Sequence, residues 1–194
     1  MPITHLLYLH GFRSSPQSHK ARLMGQRLAQ CQPALHWWCP QLPPSPRQAM
    51  QLLLQGIADW PTQSMAVMGS SLGGFYATYV AQRLGCQAVL LIPAVDPARD
   101  LAHYIGEQTS WHDPQQRFFF QPDYVQELQD LTTGALAHPQ HYLAVIAKGD
   151  ELLDWREMLA RYAGAQIMLL PGSDHALSDF DQQLPAILTF LGLD

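Results

Sequence analysis

Residues 67–75 read VMGSSLGGF. An apolar run enters this stretch and a helix-like run leaves it, with two serines between glycines at the junction. Gly69, Ser71 and Gly73 fit G-x-S-x-G, and Ser70 fills the first variable position. A nucleophile lifted above a sheet needs a sharp strand-to-helix turn. Side chains two residues before and after it would collide with the strand and helix, so glycine is used there. The context expected for the motif is present, with a strand predicted over 64–69 and a helix from 72. The start of that helix turns backbone N–H groups and a positive dipole end toward the serine. Ser71 is therefore the candidate nucleophile and Ser70 a packing neighbour.

Outward from this turn, short apolar runs alternate with longer amphipathic ones. Strands are expected at 3–9, 34–39, 64–69, 87–92, 141–147 and 165–170. Helices are expected at 16–30, 46–60, 72–85, from Asp154, and at 178–191. This βαβα alternation predicts an α/β fold of three layers, a parallel sheet with helices on both faces. A central first strand gives the order 2-1-3-4-5-6, with the chain reversal between strands one and three. Ligands bind at the carboxyl ends of strands at such a switch point. The 194 residues suit a single domain, 1–194, with a small helical insertion at about 93–140.

A serine hydroxyl needs a base, and the base an orienting acid. On this kind of sheet the chain order is Ser, then Asp or Glu, then His, each in a loop after a strand. His175, in PGSDHALSDF after the last strand, is the expected base. Asp150, in KGDELLDW after the fifth, is the expected acid. Asp154 is followed by Glu157 in D-W-R-E, a capping-box pattern that assigns it to the next helix. Asp174 is read as a turn-former with Gly172 and Ser173. The backbone N–H of Leu72 is one expected oxyanion donor. The other is that of Phe12, in LHGFRSSP, where Gly11 lets the loop close. His10 precedes the serine and is read as shaping this loop.

The sequence at this point resembles the α/β-hydrolase superfamily, and more narrowly the small YqiA-type esterases of bacteria. The matching pieces are YLHGFRSSPQSHKA, MGSSLGGFYATYVA, IPAVDPARDL, KGDELLD and GSDHALSDF. The resemblance implies a minimal hydrolase without the first two strands of the larger fold, and a triad of Ser71, Asp150 and His175. It also implies ester or thioester cleavage without a cofactor. Pro93 stands where the family pattern leads one to expect Asn, at the end of strand four.

Composition narrows the classes. The formal charge is −5, and the 11 Lys and Arg form no run, so nucleic-acid binding is not expected. Cys31, Cys39 and Cys86 form no CxxC pair and read as free thiols in a reducing compartment. MPITHLLYLHGF lacks the features of a signal peptide, and no apolar run approaches the length of about 18 residues that spans a bilayer. A cytoplasmic location is the expectation. His138 and His141 lack a companion carboxylate or thiol and are not taken as metal ligands. The expected substrate is a small-molecule ester or thioester. Arg13, Tyr104, Trp111 and Phe119 are candidate substrate contacts, against the alternative that the insertion's aromatic residues simply pack it onto the sheet. Two other functions share these features: the same triad acting on a C–C or amide bond, and a silent protein that binds a ligand or partner.

Overall fold

The six apolar segments form one parallel sheet in the computed structural model, which describes all 194 residues. Strands β1 (His5–Leu9), β2 (His36–Trp38), β3 (Met65–Ser70) and β4 (Gln87–Leu91) come from the first half of the chain. Strands β7 (Tyr142–Ala147) and β8 (Gln166–Leu170) complete it, in the order β2-β1-β3-β4-β7-β8. Counted along this sheet alone, that is the expected 2-1-3-4-5-6. Pairing is in register from His5 opposite Met65 to Leu9 opposite Gly69, which brings the ends of β1 and β3 side by side. All six residues of β3 and all six of β7 are buried. Strands covered on both faces read as continuous apolar runs, which is why they stand out in the sequence.

The helices are α1 (His19–Cys31), α2 (Pro46–Gly56), α3 (Leu72–Leu84), α4 (Pro97–Leu101), α5 (Asp123–Asp130), α6 (Trp155–Arg161) and α7 (Phe180–Leu191). Right-handed crossovers that run in opposite directions along the sheet, from β1 to β2 and from β2 back to β3, place their helices on opposite faces. Accordingly α1 packs beside α7, and α2 beside α5. Helix α1 begins at His19 rather than near Pro16, because Ser18 caps it by accepting from the Ala21 amide. Helix α2 ends at Gly56, short of the expected residue 60. A Cβ on Gly56 would lie 2.1 Å from the Trp38 ring, so the chain turns there with Trp60 edge-on to Trp38.

The 93–140 insertion is helical at α4 and α5 but not throughout. Between α4 and α5 it carries an antiparallel hairpin, β5 (Gly106–Thr109) with β6 (Arg117–Phe120). Its anchors are specific. The Glu127 carboxylate on α5 accepts from the Ser45 hydroxyl at 2.7 Å and the Arg47 amide at 3.0 Å, at the start of α2. The Arg99 guanidinium on α4 donates two hydrogen bonds, of 2.8 and 2.7 Å, to Glu157 on α6. The D-W-R-E pattern is thus half realised. Asp154 caps α6 by accepting from the Arg156 amide, whereas Glu157 turns away to Arg99. No helix is long and apolar enough to cross a membrane.

Candidate active site

The G-x-S-x-G segment closes the turn between β3 and α3 so tightly that neither glycine tolerates a side chain. A Cβ at Gly69 would lie 2.0 Å from the Gly73 carbonyl oxygen, and one at Gly73 would lie 2.0 Å from that of Leu9. Between them Ser71 has φ 55° and ψ −120°, a conformation that costs about 1–3 kcal/mol for a residue with a side chain. The surrounding hydrogen bonds hold it there. The Ser71 amide donates to Leu91, and its carbonyl accepts from Gly74 and from Ala94. Arg13, Ile92 and Ser173 also have positive φ. Strained backbone is thus gathered at the strand ends around Ser71.

The three residues expected to act together do meet. The Ser71 hydroxyl lies 3.0 Å from His175 Nε2. His175 Nδ1 lies 2.9 and 3.0 Å from the two oxygens of Asp150. A carboxylate only accepts, so Nδ1 carries the proton and Nε2 is left to accept from Ser71. The Asp150 side chain is fully buried, and one of its oxygens also accepts from the Leu152 and Leu153 amides. Three N–H donors thus fix one carboxylate. The loops that carry the pair are pressed together: a Cβ on Gly149 would lie 2.2 Å from the Ser173 carbonyl oxygen. Asp174 does not take part, because its carboxylate accepts from the Ser178 amide and hydroxyl and holds a turn.

One partner escaped the sequence reading. Glu151 accepts from the His175 backbone amide at 3.0 Å. It is the sequence neighbour of Asp150, so the two carboxylates grip the two ends of one histidine. Only the tertiary approach of the two loops reveals this.

The other wall of the site is the loop after β1. A Cβ on Gly11 would lie 3.3 Å from Ser71 Cβ, so the loop backbone rests against the serine. Neither the Phe12 amide nor the Leu72 amide donates to an acceptor of the chain. His10 shapes this loop. The Leu42 amide donates to its Nε2 at 3.0 Å, so its Nδ1 carries the proton and donates to the Gly11 carbonyl at 3.0 Å. The Ser14 amide donates to the same carbonyl. In a trans peptide the N–H points opposite the carbonyl, so holding Gly11 C=O sets the direction of Phe12 N–H.

The candidate substrate contacts divide. Tyr104 and Trp111 stand with Ser71 and His175 on the wall of a cleft of about 250 Å³. Arg13 lines the same cleft, but its guanidinium is engaged within the chain. Its guanidinium donates to the Thr109 carbonyl at 2.7 Å and hydroxyl at 3.0 Å, and lies over the Trp111 ring at 4.0 Å. It fastens the β1 loop to the hairpin. Phe119 is 48% exposed and lines none of the cavities at the site. Strand alternation turns Phe118 and Phe120 inward against Phe12 and leaves Phe119 in solvent, which removes it from the site. The largest cavity, about 580 Å³, touches Leu72 and Phe12 but not Ser71. It lies across the loop from the serine and is walled by Leu42, Pro43, Pro44 and Phe118.

Other nucleophiles are poorly placed. Burial pushes the Cys39 and Cys86 thiols up to about 12, where they stay protonated. Pro93 is buried, with its ring packed against Gly74.

Solved structures share this architecture at low sequence identity. A presumed hydrolase from Agrobacterium vitis S4 superposes with a TM-score of 0.76 and 16% identity over 98% of this chain and 91% of that one. Est1E from Butyrivibrio proteoclasticus, with ferulic acid bound, gives 0.73 and 14% over 98% and 88%. Alpha/beta hydrolase domain-containing protein 10 from mouse gives 0.70 and 14% over 96% and 90%. At such identities the likeness is one of fold, and the fold is that of the α/β hydrolases. The model of the uncharacterised protein family UPF0227 matches residues 5–192, and the chain belongs to that family.

Proposed function

We propose that this chain is a serine hydrolase that cleaves carboxylic esters or thioesters of small molecules through an acyl-enzyme. One observation carries the reading: the unbroken hydrogen-bond chain from Ser71 through His175 to buried Asp150, with Ser71 strained at the head of α3. The solved esterases of the same fold are in keeping with it.

In this mechanism Ser71 Oγ attacks the substrate carbonyl as His175 Nε2 takes its proton. Asp150 holds the imidazole tautomer and stabilises the imidazolium. The carbonyl electrons move onto oxygen, and the Leu72 and Phe12 amides receive the oxyanion. One such donor contributes roughly 3–4 kcal/mol to transition-state stabilisation. The imidazolium then gives its proton to the departing oxygen or sulfur, and the carbon–heteroatom bond breaks. Water attacks the acyl-enzyme with His175 again as base, which releases the acid and restores Ser71. The cleft beside Tyr104 and Trp111 takes one side of the substrate.

The test is labelling with a fluorophosphonate, read by intact mass and peptide mapping, beside turnover of a panel of esters, thioesters and amides. One adduct on Ser71, absent in Ser71→Ala, is expected, with a loss of ester turnover of about 10³-fold or more in that variant. Undiminished hydrolysis in Ser71→Ala would sink the assignment. Turnover of amides in preference to esters would keep the nucleophile and move the substrate class.

A further inference from the structure

We propose that the cavity between Ser71 and the N-terminus of α1 binds a carboxylate or phosphate group of the substrate, held by Lys20 and the Tyr8 hydroxyl. The inference rests on the reading of Ser71 as nucleophile.

The cavity is about 300 Å³, and Ser71 and His175 form part of its wall. Tyr8, Ser18, His19 and Lys20 form another part. A group bound there therefore lies within the length of a small substrate from the reacting carbonyl. Three features of the wall favour an oxyanion. First, Tyr8 is wholly buried, and its hydroxyl is the only buried side-chain polar atom of the chain without a hydrogen-bond partner. Ser18 lies near enough to bias the phenol's ionisation but outside hydrogen-bond geometry. An orphaned buried hydroxyl costs about 1–3 kcal/mol, and Tyr8 lines the cavity beside Ser71, so an acceptor bound there would answer an unmet need. Burial holds the phenol protonated, so toward an anion it serves as a donor.

Second, α1 presents its N-terminus to the cavity. The Ser18 side chain satisfies the Ala21 amide and the Ser18 carbonyl that of Arg22, whereas the His19 and Lys20 amides have no acceptor in the chain. No acidic side chain occupies the first turn to meet the helix dipole. Third, Lys20 brings a positive charge. Its ammonium donates to the Ala176 carbonyl, which holds it at the cavity edge beside His175. Burial lowers it to about 8, against the pull of Asp174 and Asp150, and it remains charged at neutral pH. The Asp150 carboxylate pairs with His175 and that of Asp174 with Ser178, not with Lys20. An ammonium has three donor hydrogens, and the one bond to Ala176 leaves two for a ligand.

The test separates this site from the catalytic reading. Inorganic phosphate and succinate are titrated calorimetrically into the wild-type chain, Lys20→Met and Tyr8→Phe, a readout that needs no turnover. Saturable binding to wild type, weakened about tenfold or more in each variant, is expected, the worth of one hydrogen bond to a charged group. The tighter of the two anions names the group. No binding of either anion, or wild-type affinity in either variant, overturns the proposal. Both variants keep the packing: methionine retains the stem of Lys20, and Tyr8→Phe removes only a hydroxyl that bonds to nothing. In turnover, the ratio of kcat/KM for 4-acetoxybenzoate to that for phenyl acetate is expected to fall about tenfold in both. An unchanged ratio counts against the site. Absence of fluorophosphonate labelling at Ser71 in wild type would remove the catalytic reading and leave the calorimetric result to decide the anion site.

Discussion

The backbone amide of Leu42 donates to Nε2 of His10 at 3.0 Å, and burial keeps this histidine neutral. Nε2 can accept only while the ring is neutral, and burial brings the His10 pKa down to about 4. The unfolded chain takes up the proton near 6.5, whereas the folded chain does so only near 4. The stabilisation is therefore complete above pH 6.5 and is lost as pH falls toward 4. The gap between 6.5 and about 4 corresponds to about 3 kcal/mol by linkage. Denaturant unfolding at pH 7 and at pH 5 should show this decline above the range where most carboxylates protonate. His10→Gln should flatten the slope. An equal slope in that variant would assign the pH dependence to other groups.

Gly73 gives a sharper steric prediction. Its missing side chain admits the Leu9 carbonyl, and the opposing atom is backbone, not the end of a flexible side chain. Gly73→Ala must push α3 away from β1 and thereby open the angle between Ser71 and the Phe12 loop. A loss of stability of roughly 3 kcal/mol or more, read from the denaturation midpoint, is expected together with loss of fluorophosphonate labelling. Gly134 is the control: nothing lies within 4 Å of a Cβ there, and alanine should leave stability and labelling near wild type.

These contrasts show which parts of the molecule are legible in sequence. Strands such as β3 and β7 are buried on both faces, and burial of that kind writes itself as an unbroken apolar run. The hairpin does not. GEQT in β5 is polar because one face meets solvent, and RFFF in β6 shows no alternation of residue type. Only the pairing with β5 reveals that Phe118 and Phe120 face Phe12 while Phe119 does not. Ser71, Asp150 and His175 are legible because each follows a predicted strand in a fixed order. Glu151 carries no such mark, because its partner is a backbone amide 24 residues away.

Glu151 therefore warrants its own test as a positioning residue. Its carboxylate holds the His175 main chain while Asp150 holds the ring. Glu151→Ala releases one of the two and should lower kcat about tenfold with KM nearly unchanged, since the ring then samples poorer angles to Ser71. Glu151→Gln retains an acceptor oxygen and should restore most of the rate. Failure of glutamine to rescue would mean that the charge of Glu151, not its hydrogen bond to His175, matters.

Arg13 distinguishes a clamp from a substrate contact. Its planar fork reaches the Thr109 carbonyl and hydroxyl while its face covers Trp111, and the Trp111 amide donates back to the Arg13 carbonyl. Lysine keeps the charge but cannot reproduce two directed bonds and a stacked plane. As a clamp, Arg13→Lys and Arg13→Ala should behave alike, each raising KM several-fold, about 1 kcal/mol per lost interaction, for neutral and anionic esters equally. Thr109→Val, which removes the hydroxyl and keeps the carbonyl, should give a smaller effect in the same direction. A guanidinium that met a substrate anion would behave otherwise: lysine would rescue, neutral esters would be indifferent, and Thr109→Val would be silent. Steady-state kinetics on one matched ester pair across the three variants separates these patterns. Arg13 lines the cleft, but its guanidinium is held by two bonds to Thr109, so the clamp pattern is the expected one.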